Sequence, residues 1–131
     1  MRIFLILFLF TITLSAQIKE KVFFESANPF AMSDVINDLD NQEKQEVYGI
    51  LTLPIDSVSD QKYPLIIGVA GSLAWRDHHY EYLDMYQKAG FATFELKSFK
   101  SRDNESTVGS QVEVTTAMKI LDSYRALEKL S

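Results

Sequence analysis

The clearest hydrophobic pattern in the chain is the continuous apolar run at residues 65–70. No polar residue alternates with the apolar ones, which is typical of a central parallel strand buried on both faces. Residues 77–89 predict a helix that ends at Gly90, a residue type common just past helix ends, and residues 91–96 predict a second strand. The apolar face of the predicted helix comprises Tyr82, Met85, Tyr86 and Ala89. These segments predict a strand–helix–strand unit with parallel strands.

Weaker patterns precede this unit. Residues 22–25 and 47–53 predict two strands that lead into the sheet in antiparallel fashion. Between them, residues 33–40 predict a short polar helix and residues 41–46 a charged loop. Residues 60–61 suggest a hairpin turn before the apolar strand.

A long polar loop at residues 97–109 follows the second strand of the unit, and a helix is predicted over residues 110–130. The apolar stripe of that helix is Val114, Ala117, Met118, Leu121 and Tyr124, with Ile120 and Leu127 beside it. The whole pattern predicts the α/β class, with a mostly parallel sheet, antiparallel first strands and crossover helices on both faces.

The first residues have the layout of a secretory signal peptide. Arg2 supplies a positive charge, residues 3–14 are almost entirely apolar, and small residues follow at Ser15 and Ala16. The run is too short for a stable membrane span. We therefore expect residues 1–16 to be a signal, residues 17–131 to form the mature domain, and the protein to be secreted or periplasmic. The alternative is a buried N-terminal strand or helix.

Composition excludes several classes of function. The 131 residues include 13 Lys and Arg against 18 Asp and Glu, a net charge of −5, and no basic cluster, so nucleic-acid binding is not expected. No cysteine is present, which removes disulfides and a thiol nucleophile from these residues. Glycine-rich phosphate-binding motifs are absent, so no nucleotide cofactor is expected. The histidines, His78 and His79, point apart on a helix, so no metal site is expected either.

The loop at residues 71–75 is the best candidate site, because ligands of open α/β sheets bind beyond the carboxyl ends of parallel strands. Gly71 permits a close backbone approach, and the amides of Ser72 and Leu73 are placed to form an oxyanion hole. Trp75 either walls a pocket or covers the following helix. A plain tight turn is the alternative interpretation of the loop.

The same segments resemble the N-terminal part of the dienelactone hydrolase family of α/β-hydrolases. The motifs are GILTLP at 49–54, YPLIIGVAGSLAW at 63–75, AGFATFEL at 89–96, Ser98-Phe99 with Arg102, STVG at 106–109 and DSYRAL at 122–127. The resemblance implies an α/β-hydrolase fold, hydrolysis of a small-molecule ester or related acyl bond, and an oxyanion loop at Ser72 and Leu73. It also implies that Gly71, Trp75 and Arg102 contribute to substrate binding, with Arg102 holding a carboxylate. The alternative for Arg102 is a surface pair with Asp103 or Glu105.

Two departures from the family pattern matter. Ala70 stands where the family has a mainly structural histidine, and no Gly-x-Ser-x-Gly nucleophile motif occurs in the sequence. The nucleophile, acid and histidine are therefore expected beyond residue 131, and no catalytic residue is assigned. A Ser72–His79–Asp84 triad remains open, but nothing in the sequence brings the three together.

We therefore expect the N-terminal half of an α/β-hydrolase, truncated before the nucleophile elbow and inactive alone. The alternative is a non-catalytic exported α/β module that binds a ligand or a partner. In either case the strand at residues 65–69 would have one bare apolar edge, which invites a partner strand that supplies the missing half.

Overall fold

A computed structural model describes residues 17–55, 57–58 and 60–131, so the predicted signal peptide lies outside the described residues. The strands are β1 (Lys19–Ala27), β2 (Lys44–Thr52), β3 (Leu65–Gly68) and β4 (Ala92–Leu96). The helices are α1 (Met32–Asn37), α2 (Asp77–Lys88) and α3 (Thr116–Leu130), with short 3-10 turns at Leu39–Asn41 and Lys100–Arg102. None of the helices in these ranges has the length and hydrophobicity to cross a membrane.

The four strands form one open mixed sheet in the order β1-β2-β4-β3. β1 pairs antiparallel with β2, β2 pairs antiparallel with β4, and β3 pairs parallel with β4. The α/β class, the antiparallel first strands and the parallel β3–β4 unit are confirmed. The expected predominance of parallel pairing is not found among the described strands, where β3–β4 is the one parallel pair.

Helices cover both faces of the sheet, as predicted. On one face, Ala126 of α3 packs in a core cluster with Phe24, Val47, Phe94 and Leu96. On the other face, the side-chain amide of Gln87 in α2 donates a 2.7 Å hydrogen bond to the Thr93 hydroxyl. Thr93 and Phe94 are neighbours in one strand, so their side chains point to opposite faces.

The prediction that residues 65–70 form a central strand buried on both faces is wrong for the described part of the chain. β3 is an edge strand with β4 on one side, and all four of its residues are half-buried. Val69, directly after β3, is 45% exposed. The described neighbours of β3 therefore cover only part of its apolar surface.

Several element boundaries also differ from the predictions. β2 begins at Lys44, inside the predicted loop, because residues 44–46 pair with residues 25–27 of β1 and extend the ladder. Asp60 turns the chain with a φ of 67°, but β2 and β3 do not pair, so this turn does not close a hairpin. α3 begins at Thr116 instead of residue 110, since the Thr115 hydroxyl caps it by accepting from the Met118 amide.

The predicted helix faces are partly wrong. In α2, Tyr82 and Met85 are exposed and Leu83 is the buried residue. In α3, most of the predicted stripe is buried, but Tyr124 is 65% exposed and Asp122 is fully buried. Asp122 turns inward because a buried arginine, described below, pairs with it.

Candidate functional site

The loop after β3 is anchored at both ends. The Ala74 amide donates to the Gly71 carbonyl at 2.9 Å and closes a tight turn, in which Ala74 has a left-handed φ of 57°. The Trp75 indole N–H donates to the Leu96 carbonyl at 2.8 Å, which ties the loop to the end of β4. A non-glycine residue in the left-handed region is uncommon and is found more often at functional sites.

Ser72 and Leu73 lie at the exposed turn of this loop. The Ser72 carbonyl accepts two hydrogen bonds of 3.0 Å, from the Thr107 amide and the Ser106 hydroxyl. The amides of Ser72 and Leu73 donate to no acceptor within the described ranges. Two adjacent amides without internal acceptors, at the carboxyl end of a parallel strand, are donors of the kind that an oxyanion requires.

Gly71 has no structural need to be glycine among the described residues. Its φ lies outside the left-handed region, and an added Cβ would meet no atom within 4 Å apart from its chain neighbours. Gly68, only three residues earlier, differs, because a Cβ there would lie 2.7 Å from the Trp75 ring. The prediction was that the backbone at Gly71 lies close to another group, but no described residue lies close to it.

Trp75 borders a cleft of about 360 Å³ beside the loop. Its ring also packs against His79 and Tyr80, with ring centroids 5.5 and 5.6 Å away. Trp75 therefore both walls the cleft and covers the start of α2, which combines the two predicted alternatives. The cleft lining includes Leu73, Trp75, Tyr80, Lys97, Phe99 and Ser106.

Lys97 and Tyr80 line one wall of the cleft, and Lys97 belongs to a partly buried ion pair. The Lys97 ammonium pairs with the Glu95 carboxylate, and their side chains are only 18% and 13% exposed. Burial lowers the pKa of Lys97, but the hydrogen bond and charge of Glu95 and the contact with Tyr80 outweigh it and leave the pKa above its usual value. Burial, then the hydrogen bond and charge of Glu95, raises the pKa of Tyr80. Both groups hold their protons at neutral pH, so this wall carries a cation and a neutral phenol instead of a base.

Arg102 is buried and fully engaged within the protein. Its Nη1 and Nη2 donate to the two carboxylate oxygens of Asp122 at 2.8 and 3.1 Å, and the two side chains are 5% and 0% exposed. All five N–H groups of the guanidinium are thereby used; the three other acceptors are Asn28 Oδ1, Ala27 O and Ser98 O. This structural ion pair replaces the predicted surface pair with Asp103 or Glu105, and it leaves no donor for a substrate carboxylate.

The histidines have local roles. His79 Nδ1 accepts from the Arg76 amide at 2.9 Å and caps the start of α2, while His78 is exposed. The Ser72 hydroxyl accepts from the Gln111 side-chain amide, and Asp84 pairs with Lys88. No hydrogen bond joins Ser72, His79 and Asp84 in the described structure, so the alternative triad is not assembled. Nor do the described residues hold a cluster of three or more side chains able to ligate a metal.

No protein-family model, curated protein or solved structure matches the chain. The sequence motifs, the strand arrangement and the loop geometry all point to the loop at residues 71–75 as the candidate site.

Sequence reasoning missed the residues that support the loop. Ser106 and Thr107 lie in the long loop after β4, about a quarter of the chain away from Ser72, and hold its carbonyl. The STVG motif at residues 106–109 was a signal, because it belongs to the resemblance, but its contact with Ser72 is not encoded in any spacing.

Proposed function

We propose that this chain is the N-terminal part of a dienelactone-hydrolase-like α/β-hydrolase, whose full-length protein cleaves a small-molecule ester or a related acyl bond. The observation that carries the proposal is the pair of Ser72 and Leu73 amides, which have no described acceptor at the carboxyl end of β3. The chain's own contribution is the oxyanion loop and one wall of the substrate cleft. Residues 1–16 would direct the protein to the periplasm or the exterior.

The position of β3 supports this proposal. In the resembling family, the third strand lies between the fourth strand and the strand that carries the nucleophile. Here β3 pairs with β4 along one edge, while its other edge is apolar and half-buried. A nucleophile-bearing strand paired along that edge would complete the burial of β3. In a parallel pairing, its carboxyl end would lie beside the loop at residues 71–75.

The chemistry would be acyl transfer to a nucleophile supplied by the rest of the protein. A serine or cysteine attacks the carbonyl carbon, a histidine takes its proton, and the carbonyl electron pair becomes an oxyanion. The Ser72 and Leu73 amides would donate to that oxyanion, a contribution worth about 10²–10³ in kcat for one donor. The histidine then protonates the leaving alcohol, and water releases the acid by the same steps.

Gly71 and Trp75 are the chain's substrate-binding residues in this proposal. Gly71 leaves space next to the loop, and Trp75 walls the cleft of about 360 Å³. Arg102 is not included, because Asp122 and backbone carbonyls occupy its donors.

The test compares this chain alone with the chain continued by the protein segment that its gene encodes directly afterwards. We expect the continued protein to hydrolyse p-nitrophenyl acetate and to react with a fluorophosphonate probe, or with an alkylating probe if the nucleophile is cysteine. The chain alone should do neither, and Ser72→Ala in the continued protein should retain labelling. Turnover by the chain alone that disappears in Ser72→Ala would contradict the proposal.

The open edge of β3 favours a second candidate, a non-catalytic exported module that binds an extended strand of a partner protein. This candidate predicts that the continued protein is unreactive towards both probes. It also predicts that Val69→Lys, which places a charge beside the exposed edge, weakens partner binding.

A further inference from the structure

The peptide unit that joins Ser72 to Leu73 is held from one side by the long loop after β4. The Thr107 amide and the Ser106 hydroxyl both donate to the same Ser72 carbonyl oxygen, each at 3.0 Å. Thr107 is 1% exposed and Ser106 is half-buried, so the support is set into the fold.

A peptide group is planar and trans, so its C=O and N–H bonds point in opposite directions within one plane. Two hydrogen bonds that fix the Ser72 carbonyl therefore also fix the direction of the Leu73 N–H. Hydrogen bonds to the carbonyl oxygen also polarise the peptide and make its N–H a stronger donor.

We infer that Ser106 and Thr107 are positioning residues of the oxyanion loop, which aim the Leu73 amide away from residues 106–107 and towards the reacting carbonyl oxygen. This inference rests on the proposed hydrolase function and assigns residues to it that the resemblance does not. Leu73 and Ala74 line both the cleft bordered by Trp75 and a neighbouring depression of about 300 Å³ whose lining contains neither Ser106 nor Thr107. The aimed amide would meet the oxyanion where the cleft and this depression adjoin.

The support is itself held in place. Ser106 Oγ accepts from the Val108 amide at 3.1 Å while it donates to Ser72. The Thr107 carbonyl accepts from the Ser110 amide at 3.2 Å, and Gln111 holds the Ser72 hydroxyl at 3.2 Å. Ser72 is therefore held at both its carbonyl and its side chain before any substrate binds, and an oxyanion hole requires such preorganised donors.

The test uses Ser106→Ala, which removes the hydroxyl that donates to the Ser72 carbonyl. Ser110→Ala is the matched control, because the nearby Ser110 hydroxyl makes no hydrogen bond to a described residue. In the isotopically labelled chain, Ser106→Ala should shift the ¹³C′ resonance of Ser72 and the ¹⁵N resonance of Leu73. Ser110→Ala should leave both in place, and Ser106→Thr, which keeps a hydroxyl, should restore them. If Ser106→Ala does not fold, Ser106→Cys tests the same bond with a weaker donor.

In the continued protein, Ser106→Ala should lower kcat about fivefold, the effect of losing one ordinary hydrogen bond, with little change in KM. Unchanged Ser72 and Leu73 resonances in folded Ser106→Ala would overturn the inference. So would a fall in kcat/KM of that variant that comes only from a higher KM. Failure of the hydrolase proposal gives a different result, since the unsubstituted continued protein would then be inactive while the resonances still respond to Ser106→Ala.

Discussion

Arg102 and Asp122 show how a buried charge pair defines the role of both residues. The guanidinium joins three parts of the fold: the end of β1, the segment after β4 and the middle of α3. Asp122 also accepts from the Ser26 hydroxyl at 2.6 Å, so both carboxylate oxygens are satisfied. A substrate carboxylate could reach Arg102 only by breaking this pair and leaving Asp122 buried without a partner.

Removal of Asp122 should therefore destabilise the protein strongly. We expect Asp122→Ala to lower the free energy of unfolding by about 3–5 kcal/mol, because it leaves the Arg102 charge buried and unpaired. Urea unfolding of the two proteins measures the difference. Glu128→Gln, which breaks the exposed pair with Arg125, is the control and should change stability by less than about 1 kcal/mol. Equal effects of the two substitutions would contradict a structural role for the buried pair.

The ion pair of Glu95 and Lys97, together with Tyr80, predicts a loss of stability at high pH. The pKa values of Lys97 and Tyr80 are both raised in the folded protein, so the folded state holds these two protons more tightly than the unfolded state. Their contribution is full below the ordinary values of 10.5 and 10.0 and is lost as pH rises through the folded values.

Urea midpoints between about pH 8 and about pH 11.5 should therefore fall more steeply for the unsubstituted chain than for Glu95→Gln/Lys97→Met. The double variant removes both charges, so it leaves no unpaired ion behind. Parallel pH profiles for the two proteins would rule out this contribution.

At the scale of elements, α2 ends where the backbone becomes left-handed. Gly90, which follows the C-cap residue Ala89, has a φ of +91°, and its amide donates to the Gln87 carbonyl at 3.0 Å. We expect Gly90→Ala to cost about 1 kcal/mol, because a side chain in the left-handed region is strained. Gly71→Ala is the matched control in the same strand–helix–strand unit and should leave the stability almost unchanged, since the φ of Gly71 lies outside the left-handed region and its surroundings are open.

Thermal unfolding of both variants measures the difference. An effect of Gly71→Ala as large as that of Gly90→Ala would show that the loop at residues 71–75 contacts more of the fold than the described residues do. In the continued protein, by contrast, Gly71→Ala should reduce turnover, because the proposed function places substrate in the space beside it.

The positions of the strands could be predicted from the sequence, but the burial of β3 and parts of the helix faces could not. The apolar run at residues 65–70 marks a strand by its composition, whereas the burial of that strand depends on the strands that pair beside it. Helix faces depend on partners distant in sequence: Asp122 is buried through Arg102, while Tyr124 remains exposed. The same limit applies to the site, where residues 71–75 were predicted from position but their support by Ser106 and Thr107 was not.

At the scale of the whole molecule, the open edge of β3 is the feature that the described residues leave unsatisfied. The strand is apolar throughout, has β4 on one side, and continues into the exposed Val69. Edges of this kind, without proline or lysine, pair readily with other strands. The isolated chain should therefore associate with itself or with a partner through this edge.

We expect the thermal transition of the isolated chain to depend on protein concentration over a roughly hundredfold range. Val69→Lys should suppress this dependence, because it places a charge beside the edge of β3. Val112→Lys is the matched control, since Val112 is also exposed but lies in the segment just before α3. A sharp, concentration-independent transition of a monomer would contradict the account of the open edge.

We propose that this chain forms the oxyanion-loop part of a larger acyl hydrolase. The most direct measurement is to sequence the gene beyond the Ser131 codon and translate it in the three forward frames. The account predicts a further strand followed by Gly-x-Ser-x-Gly or its cysteine form, and then a later aspartate and histidine. A stop codon followed by no such elements in any frame would contradict it.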